Sequence, residues 1–308
     1  MLRIYGSDKN GEFRNLPYIN SIVLKRDGDT PCDMLEVVVG SDVGFEVCFV
    51  YLEEDGDVFF RGIVDEQITD FGTKVTTKLV ARSEEALLTD NEACPEIFIN
   101  PVWELIFSRY ARPLGITGYD LVNKVLKGTL KVSKGMSCYE VLSGFCKQVY
   151  GKSPYVKEGV LRLFGEAQEL VFATEGTEGI RVKEACVKSL NCKLISAVNV
   201  KTSPDGGYIT QICDDEVADA GICRQRYLDV SALSVKDYSE AVELIRRSKL
   251  KSFELCLVCD GRFTDIPGKS ARAEIFGRSY EGLVVSGVRY TRNNRKNETL
   301  VTLVKRSV

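Results

Sequence analysis

Two acidic runs, EED at 53–55 and DDE at 214–216, contain the carboxyl groups that could do chemistry. Two carboxylates flanking a glycosidic bond hydrolyse it, one as general acid and the other as base or nucleophile. That work needs a carboxyl group whose pKa an apolar pocket has raised. Both runs adjoin turns, where acidic side chains are normally solvated. The sequence therefore favours surface turns over a catalytic pair.

The chain contains eleven cysteines and no histidine. Without histidine, the Ser-His-Asp and Cys-His hydrolases and the HExxH metalloproteases are excluded. Cys256 and Cys259 form the only CxxC, and on a strand their side chains point to opposite faces. The odd number and scattered spacing do not match a disulfide framework. We interpret the cysteines as mostly buried, reduced thiols.

Phosphate and calcium motifs are incomplete. Gly151-Lys152-Ser153 matches the last letters of a P-loop, but Cys146 stands where the first glycine belongs and Pro154 follows at once. The segments 27–33 and 214–221 lack the acidic spacing of an EF-hand loop. The sequence predicts no catalytic, cofactor-binding or metal-binding residues, no cofactor and no enzymatic activity.

The basic run RYTRNNRK at 289–296 allows two interpretations. It is typical of a hairpin with a solvated polar turn. Alternatively, it is a loop that contacts an acidic partner, or a loop inside a tube that contacts the DNA moving through that tube.

Composition describes an ordinary globular chain of 308 residues, with two or three modules expected. A net charge of -3 argues against a general nucleic-acid binder, and we expect no specific nucleic-acid binding. No apolar run is long enough to span a membrane, and the first residues do not resemble a secretory signal. We therefore expect assembly in the cytoplasm.

The first 82 residues predict five or six short, mainly antiparallel strands, forming a small barrel or sandwich. The clearest segments are 21–25, Met34–Val39, 45–51, 58–64 and 74–81. A helix over 101–111 follows, with Pro101 in its first turn and Pro113 and Gly115 ending it. On packing grounds alone, this helix covers the open end of the β-domain, and Trp103 and Phe107 help to fill the core.

The middle of the chain predicts a helix plus a hairpin. Ser137 is the predicted N-cap, Glu140 completes a capping box and Gly151 ends the helix. The hairpin pairs 155–156 with 160–164. Strand patterns then resume at 170–173, 180–185, 195–202, 208–213, 253–258, 271–276, 283–290 and 299–305. One helix interrupts them at 237–249, with Ala241, Leu244 and Ile245 facing inward.

Several blocks, in the same order, resemble the baseplate hub proteins of contractile phage tails and phage-tail-like bacteriocins of Firmicutes, which are similar to the late-control-protein-D type of tail hub. The blocks are DNEACP at 90–95, Pro101, 110–115, GMSCYEVL at 135–142, KLIS at 193–196 and GICRQRYLD at 221–229. The resemblance covers most of the chain and does not distinguish a phage from a defective prophage or a bacteriocin. It contains no catalytic signature.

The resemblance implies a mainly β fold with α+β inserts, in which two tube-like antiparallel β-barrel domains flank a small helix-plus-hairpin module. The expected domains are 1–100 (first barrel), 101–168 (insert) and 169–308 (second barrel with the inserted helix 237–249). It also implies a homotrimer in the baseplate of a virion or tail-like particle. Three chains with two barrels each present six barrels, which allows a trimer to meet a hexameric tube. The implied partners are the tail tube protein, the central spike protein, the tape-measure protein and other baseplate proteins.

Two other functions stay open. A tail-associated cell-wall hydrolase is one, although the absence of histidine and of an isolated acid pair counts against it. A peptidoglycan- or glycan-binding module centred on 119–165 is the other.

Overall fold

The computed structural model describes residues 2–28, 30–157, 159–163, 169–175, 179–203, 205–229 and 238–305. They divide into unit one (1–168, 260–269 and 286–300) and unit two (169–259, 270–285 and 301–308). The helices are α1 Ala86–Asp90, α2 Trp103–Tyr110, α3 Cys138–Tyr150, α4 Asp215–Asp219 and α5 Ser239–Lys251. Within these ranges, no helix has the length and apolar character needed to cross a membrane.

Strands make up half of the structure, against 17% helix, which confirms the predicted mainly β class. The strands are β1 Leu2–Ser7, β2 Phe13–Asn15, β3 Ile19–Asp27, β4 Met34–Val39, β5 Phe49–Glu54, β6 Asp57–Phe71, β7 Val75–Ser83, β8 Glu96–Ile99, β9 Gly118–Tyr119, β10 Thr129–Val132, β11 Pro154–Lys157, β12 Val160–Leu163, β13 Leu170–Ala173, β14 Ile180–Ser189, β15 Ala197–Lys201, β16 Thr210–Cys213, β17 Gln225–Asp229, β18 Phe253–Asp260, β19 Ser270–Ile275, β20 Arg278–Asn293 and β21 Asn297–Lys305.

The main sheet of unit one has the order β20-β3-β4-β7-β6-β5-β1-β2, and its neighbours are antiparallel. Strands β3, β4, β5 and β7 alternate buried and more exposed residues, as a sheet with one covered face requires. In β4, for example, Leu35, Val37 and Val39 are fully buried. Each such side chain contributes about 1.5–3 kcal/mol of burial. Gly62 allows close strand contact, because a Cβ there would lie 2.3 Å from the Arg82 carbonyl oxygen.

The segment between β7 and β13 has a core of its own within unit one. Trp103 lies at its centre, with ring centroids 5.4 Å from Phe145 and 5.9 Å from Tyr119. The α2 and α3 helices bury their apolar faces against each other here. The predicted capping box at Ser137 is confirmed, because the Ser137 and Glu140 side chains each accept the other residue's backbone N–H. Gly151, with φ of 69°, ends α3 as predicted.

Unit two contains a closed six-strand barrel, with the order β19-β13-β14-β18-β21-β20 and a return pairing from β20 to β19. Strand β13 is parallel to both of its neighbours, whereas the β14–β18 and β19–β20 ladders are antiparallel. A second sheet, β16-β15-β17, is covered by α5. Val198, Val200, Ala241 and Ile245 form the buried contact between that sheet and α5.

Several sequence predictions require correction. Pro101 precedes the N-cap residue Val102 and so does not lie in the first turn of α2. Trp103 and Phe107 are fully buried, but in the core of the segment between β7 and β13, called the inserted segment below, and not at the end of a β-domain. The cysteines are free thiols, but only four are buried and five are exposed, so the expectation of mostly buried thiols is wrong. Asp237, the predicted start of α5, lies outside the described residues.

Candidate assembly surface

The acidic run at 53–55 is built into a turn and an ion-pair cluster. Glu54 accepts from Arg262 Nε at 3.1 Å and from Arg292 Nη1 at 2.5 Å. Asp55 takes a left-handed conformation, with φ of 53°, in the turn between β5 and β6. The run adjoins a turn as predicted, but Glu54 is ion-paired and partly buried, so the expectation that these side chains are simply solvated is wrong for Glu54.

The second acidic run, 214–216, caps a helix. Asp214 Oδ1 accepts from the Val217 backbone N–H at 3.3 Å, at the N-terminus of α4. Lys249 Nζ then lies 2.8 Å from Asp214 and 2.9 Å from Glu216. The hydrogen bond to Asp214, followed by that to Glu216, raises the pKa of Lys249. This arrangement ties α4 to α5.

The GKS letters and the CxxC pair lie at positions that do not suit phosphate or metal binding. Gly151 is the C-cap of α3, so the GKS letters begin at a helix C-terminus, whereas a phosphate site uses a helix N-terminus. Cys256 and Cys259 are both buried, on opposite faces of β18. Among the residues that the structure describes, no group of three His, Cys, Asp or Glu side chains could hold a metal ion.

The basic run at 289–296 is a hairpin turn between β20 and β21. Asn293 Oδ1 accepts from the backbone N–H of Arg295 at 2.8 Å and of Lys296 at 2.9 Å. Tyr290 is buried and donates to Asn297 Oδ1, while Arg292 pairs with Glu54. The hairpin is confirmed, and contact of its turn with an acidic partner or with DNA stays a prediction. The exposed basic residues of the run are Arg289, Arg295 and Lys296, and Lys296 also pairs with Glu298 at 2.8 Å.

A different feature, a two-stranded ribbon formed by residues 96–102 and 125–132, is the best candidate for a contact surface. Its ladder pairs Ile99 with Thr129 and Ile97 with Lys131. Beyond β8 and β10 the pairing continues, with the Leu126 N–H donating to the Pro101 carbonyl at 2.9 Å. Asn100, with φ of 49°, marks the bend where β8 ends.

The two faces of the ribbon differ sharply. Phe98, Leu130 and Val132 point into the core around Trp103 and are buried. Ile97 and Ile99 point the other way and are 64% and 77% exposed. Apolar side chains on both faces of a strand are typical of a strand covered on both sides. Within the part of the chain that the structure describes, this ribbon is covered on one side only.

The ribbon is also open at its edges and basic. Among the described residues, β8 and β10 pair only with each other, so each has an outer edge with unpaired backbone groups. Exposed lysines follow the second strand and its ends at Lys124, Lys127, Lys131 and Lys134. The sequence from 121 to 139 contains no Asp or Glu. A partner strand with apolar and acidic side chains would complement this surface.

The sequence prediction missed this surface because it missed β8. In Ile97-Phe98-Ile99 every residue is apolar, so period-two alternation is absent and burial cannot be assigned from the pattern. The sequence prediction also lacks β1, β2, β9, β17 and β10, the second strand of the ribbon. Only the three-dimensional structure separates Phe98, which is 8% exposed, from its two exposed neighbours.

No protein-family model matches the sequence, and no curated protein sequence matches it either. Solved structures do match. A 43 kDa tail protein of prophage MuSo2 from Shewanella oneidensis superposes with a TM-score of 0.77 at 14% identity, covering 99% of this chain and 98% of that one. A tail protein from Neisseria meningitidis gives a TM-score of 0.74 at 15% identity, covering 99% and 96%.

A third similar structure is a type VI secretion component from E. coli, described as structurally similar to the T4 bacteriophage tail proteins gp27 and gp5. It gives a TM-score of 0.54 at 8% identity, covering 94% of this chain and 74% of that one. At these identities the likeness concerns the fold. Over nearly its whole length, the chain has the fold of these phage tail proteins.

Proposed function

We propose that this protein is a structural baseplate hub of a contractile tail, a homotrimeric adaptor that joins a hexameric tail tube to a trimeric central spike. The observation that carries the proposal is the match of 99% of the chain to two tail proteins. The type VI secretion component, described as similar to gp27 and gp5, extends the match to a second kind of injection machine.

The architecture supports this role physically. Unit two has a closed β-barrel, and unit one has an antiparallel sheet with its own core. If the proposed domains 1–100 and 169–308 are both tube-like, three copies present six such domains to a six-fold tube. The tape-measure protein and other baseplate proteins are further proposed partners. The site of action is the baseplate of a virion or tail-like particle, assembled in the bacterial cytoplasm. The proposed role requires no catalytic residue.

We further propose the ribbon as one of the contact surfaces. Its occupant is an apolar, acidic strand of a neighbouring baseplate component, added at a free edge by backbone hydrogen bonds. The four exposed lysines would make association faster at low ionic strength than at high ionic strength.

The oligomeric state and particle incorporation test the hub role. We expect trimers by light scattering coupled to size exclusion, or caps on tail tubes in negative-stain images after coexpression with the neighbouring gene products. A monomer that joins no tube or spike under any of these conditions would refute the proposal.

Ribbon variants test the contact surface. Ile97→Glu with Ile99→Glu places charge on the exposed face without changing the core, so the fold is retained while incorporation into tails is lost. Ile209→Glu, at another highly exposed position, is the matched control and should incorporate normally. Normal incorporation of the double variant would remove the ribbon from the proposal and leave the hub role intact.

A second candidate function, glycan binding, is favoured by one observation. A concavity of about 310 Å³ lies in the inserted segment, lined by Asp120, Lys124, Tyr150, Tyr155 and Arg162 among others. Tyrosine side chains beside charged hydrogen-bonding groups suit a sugar ring. Retention of the full-length protein on purified peptidoglycan, lost in Tyr155→Ala, would support this role. A zymogram on the same cell wall tests for hydrolysis.

A further inference from the structure

Two cysteines lie directly opposite each other in the barrel of unit two. The β14–β18 ladder pairs Cys186 with Cys256, between the pairs Ala185–Leu257 and Val187–Leu255. The only irregularity in this ladder falls between Val182 and Glu184, before this pair. Residues that face each other across antiparallel strands point to the same side of the sheet. The two sulphur atoms therefore belong to one face.

The backbone geometry of such a pair is compatible with a disulfide. Directly opposed Cα atoms lie about 4.5 or 5.5 Å apart, depending on whether the pair is hydrogen-bonded. Both separations fall within the range of about 4.4–6.8 Å observed for disulfides. The thiols are free in this structure. No strand has to shift its register for the bond to form.

The surroundings give the two thiols different roles. Cys186 is exposed, whereas Cys256 is 8% exposed. The Lys188 ammonium hydrogen-bonds to Glu254 Oε2 at 3.2 Å and to Cys256, and these contacts raise the pKa of Lys188. The thiolate is the attacking species in disulfide exchange, and the exposed Cys186 is the one that a dissolved oxidant can reach.

We propose that Cys186 and Cys256 form a disulfide by exchange with a low-molecular-weight disulfide such as oxidised glutathione. The exposed Cys186 thiolate attacks the oxidant, forming a mixed disulfide and releasing one glutathione thiolate. The Cys256 thiolate then attacks the Cys186 sulphur and releases the second. Two cysteine thiols are oxidised, one glutathione disulfide is reduced to two thiols, and the two thiol protons pass to the leaving groups.

The bond would link β14 to β18 across the intervening residues 187–255. That segment contains the β16-β15-β17 sheet and α5, so the closed loop is long. Cross-linking a long loop restricts the unfolded chain and raises stability. A particle assembled in a reducing cytoplasm would gain this covalent link after release into an oxidising medium. The inference stands on the ladder and is independent of the proposed function.

The test treats the native full-length protein with oxidised glutathione, caps the remaining thiols with N-ethylmaleimide and maps the peptides by mass spectrometry. We expect a cross-linked peptide pair containing Cys186 and Cys256, lighter than the sum of the two thiol peptides by about 2 Da, the two hydrogens lost. The melting temperature Tm should rise by about 5–10 °C.

The variants separate this bond from other oxidation. Cys186→Ser should lose both the cross-link and the rise in Tm. Cys213→Ser should keep both, because Cys213 is also exposed but faces Ala197 in its ladder. The proposal is overturned if both residues are recovered capped by maleimide, if Cys186 stays as a glutathione adduct, or if the Tm rise persists in Cys186→Ser.

Discussion

Replacing Trp103 by alanine should lower the free energy of unfolding of the inserted segment more than any other single truncation in it. The side chain is fully buried. Its ring centroid lies 5.4 to 6.4 Å from those of Phe107, Tyr119, Phe145 and Tyr150. These rings come from α2, from α3 and from the last residue of β9, so one side chain connects all three elements.

The expected loss is about 3–5 kcal/mol in the free energy of unfolding, the usual cost of truncating a buried tryptophan. Trp103→Phe should cost much less, below about 1.5 kcal/mol. The phenyl ring refills most of the volume, and the Trp103 Nε1–H finds no acceptor among the described residues. An unpaired buried donor already costs about 1–3 kcal/mol, and phenylalanine removes that cost.

Urea unfolding followed by far-UV circular dichroism measures all variants on one scale. Trp103 is the only tryptophan, so its fluorescence in the wild type reports specifically on this core. Leu105→Ala is the matched control on the same helix, because Leu105 is 46% exposed, and it should change stability by less than about 0.5 kcal/mol. A Trp103→Ala protein within 1 kcal/mol of wild type would show that the aromatic cluster does not determine the stability of the segment.

Three further predictions follow from other sites. Gly144→Ala should stabilise α3 by about 0.5–1 kcal/mol in thermal unfolding, because the added Cβ meets open space. Gly62→Ala should destabilise the protein by about 1–3 kcal/mol in the same assay, because its Cβ would lie 2.3 Å from the Arg82 carbonyl oxygen. Hydrogen bonds from Arg246 and Arg247 lower the pKa of Glu243 from 4.5 to about 2. Their contribution to the free energy of unfolding is therefore present above pH 4.5 and is lost as the pH falls toward 2. Glu243→Gln should flatten that part of the pH–stability curve. The effect should be small and should decrease further with added salt, since these ion pairs are accessible to solvent. An unchanged acid limb of the curve would contradict the role given to Glu243. Burial raises the pKa of Cys146 to about 12, so iodoacetamide should label the exposed Cys94 in the native protein and reach Cys146 only after denaturation. Equal labelling rates would show that α3 opens readily.

The segments with clear periodicity were predictable. Met34–Val39 and Leu170–Ala173 have the bounds that the pattern gave, and α3 has its predicted cap and stop. In each case the signal is local: alternation along a strand, a serine with a glutamate three residues later, or a glycine that takes positive φ. The division into 1–100, 101–168 and 169–308 stays a prediction, and limited proteolysis at these boundaries would test it.

The sequence by itself determined the mainly β character, the principal helices and the absence of histidine chemistry, because these depend on residue type and short-range spacing. The tertiary structure alone decided which side chains are covered. It buried Phe98 while exposing Ile97 and Ile99, joined Glu54 to arginines more than 200 positions away, and set Cys186 opposite Cys256. Burial and strand pairing depend on contacts between distant parts of the chain, and no local pattern contains that information.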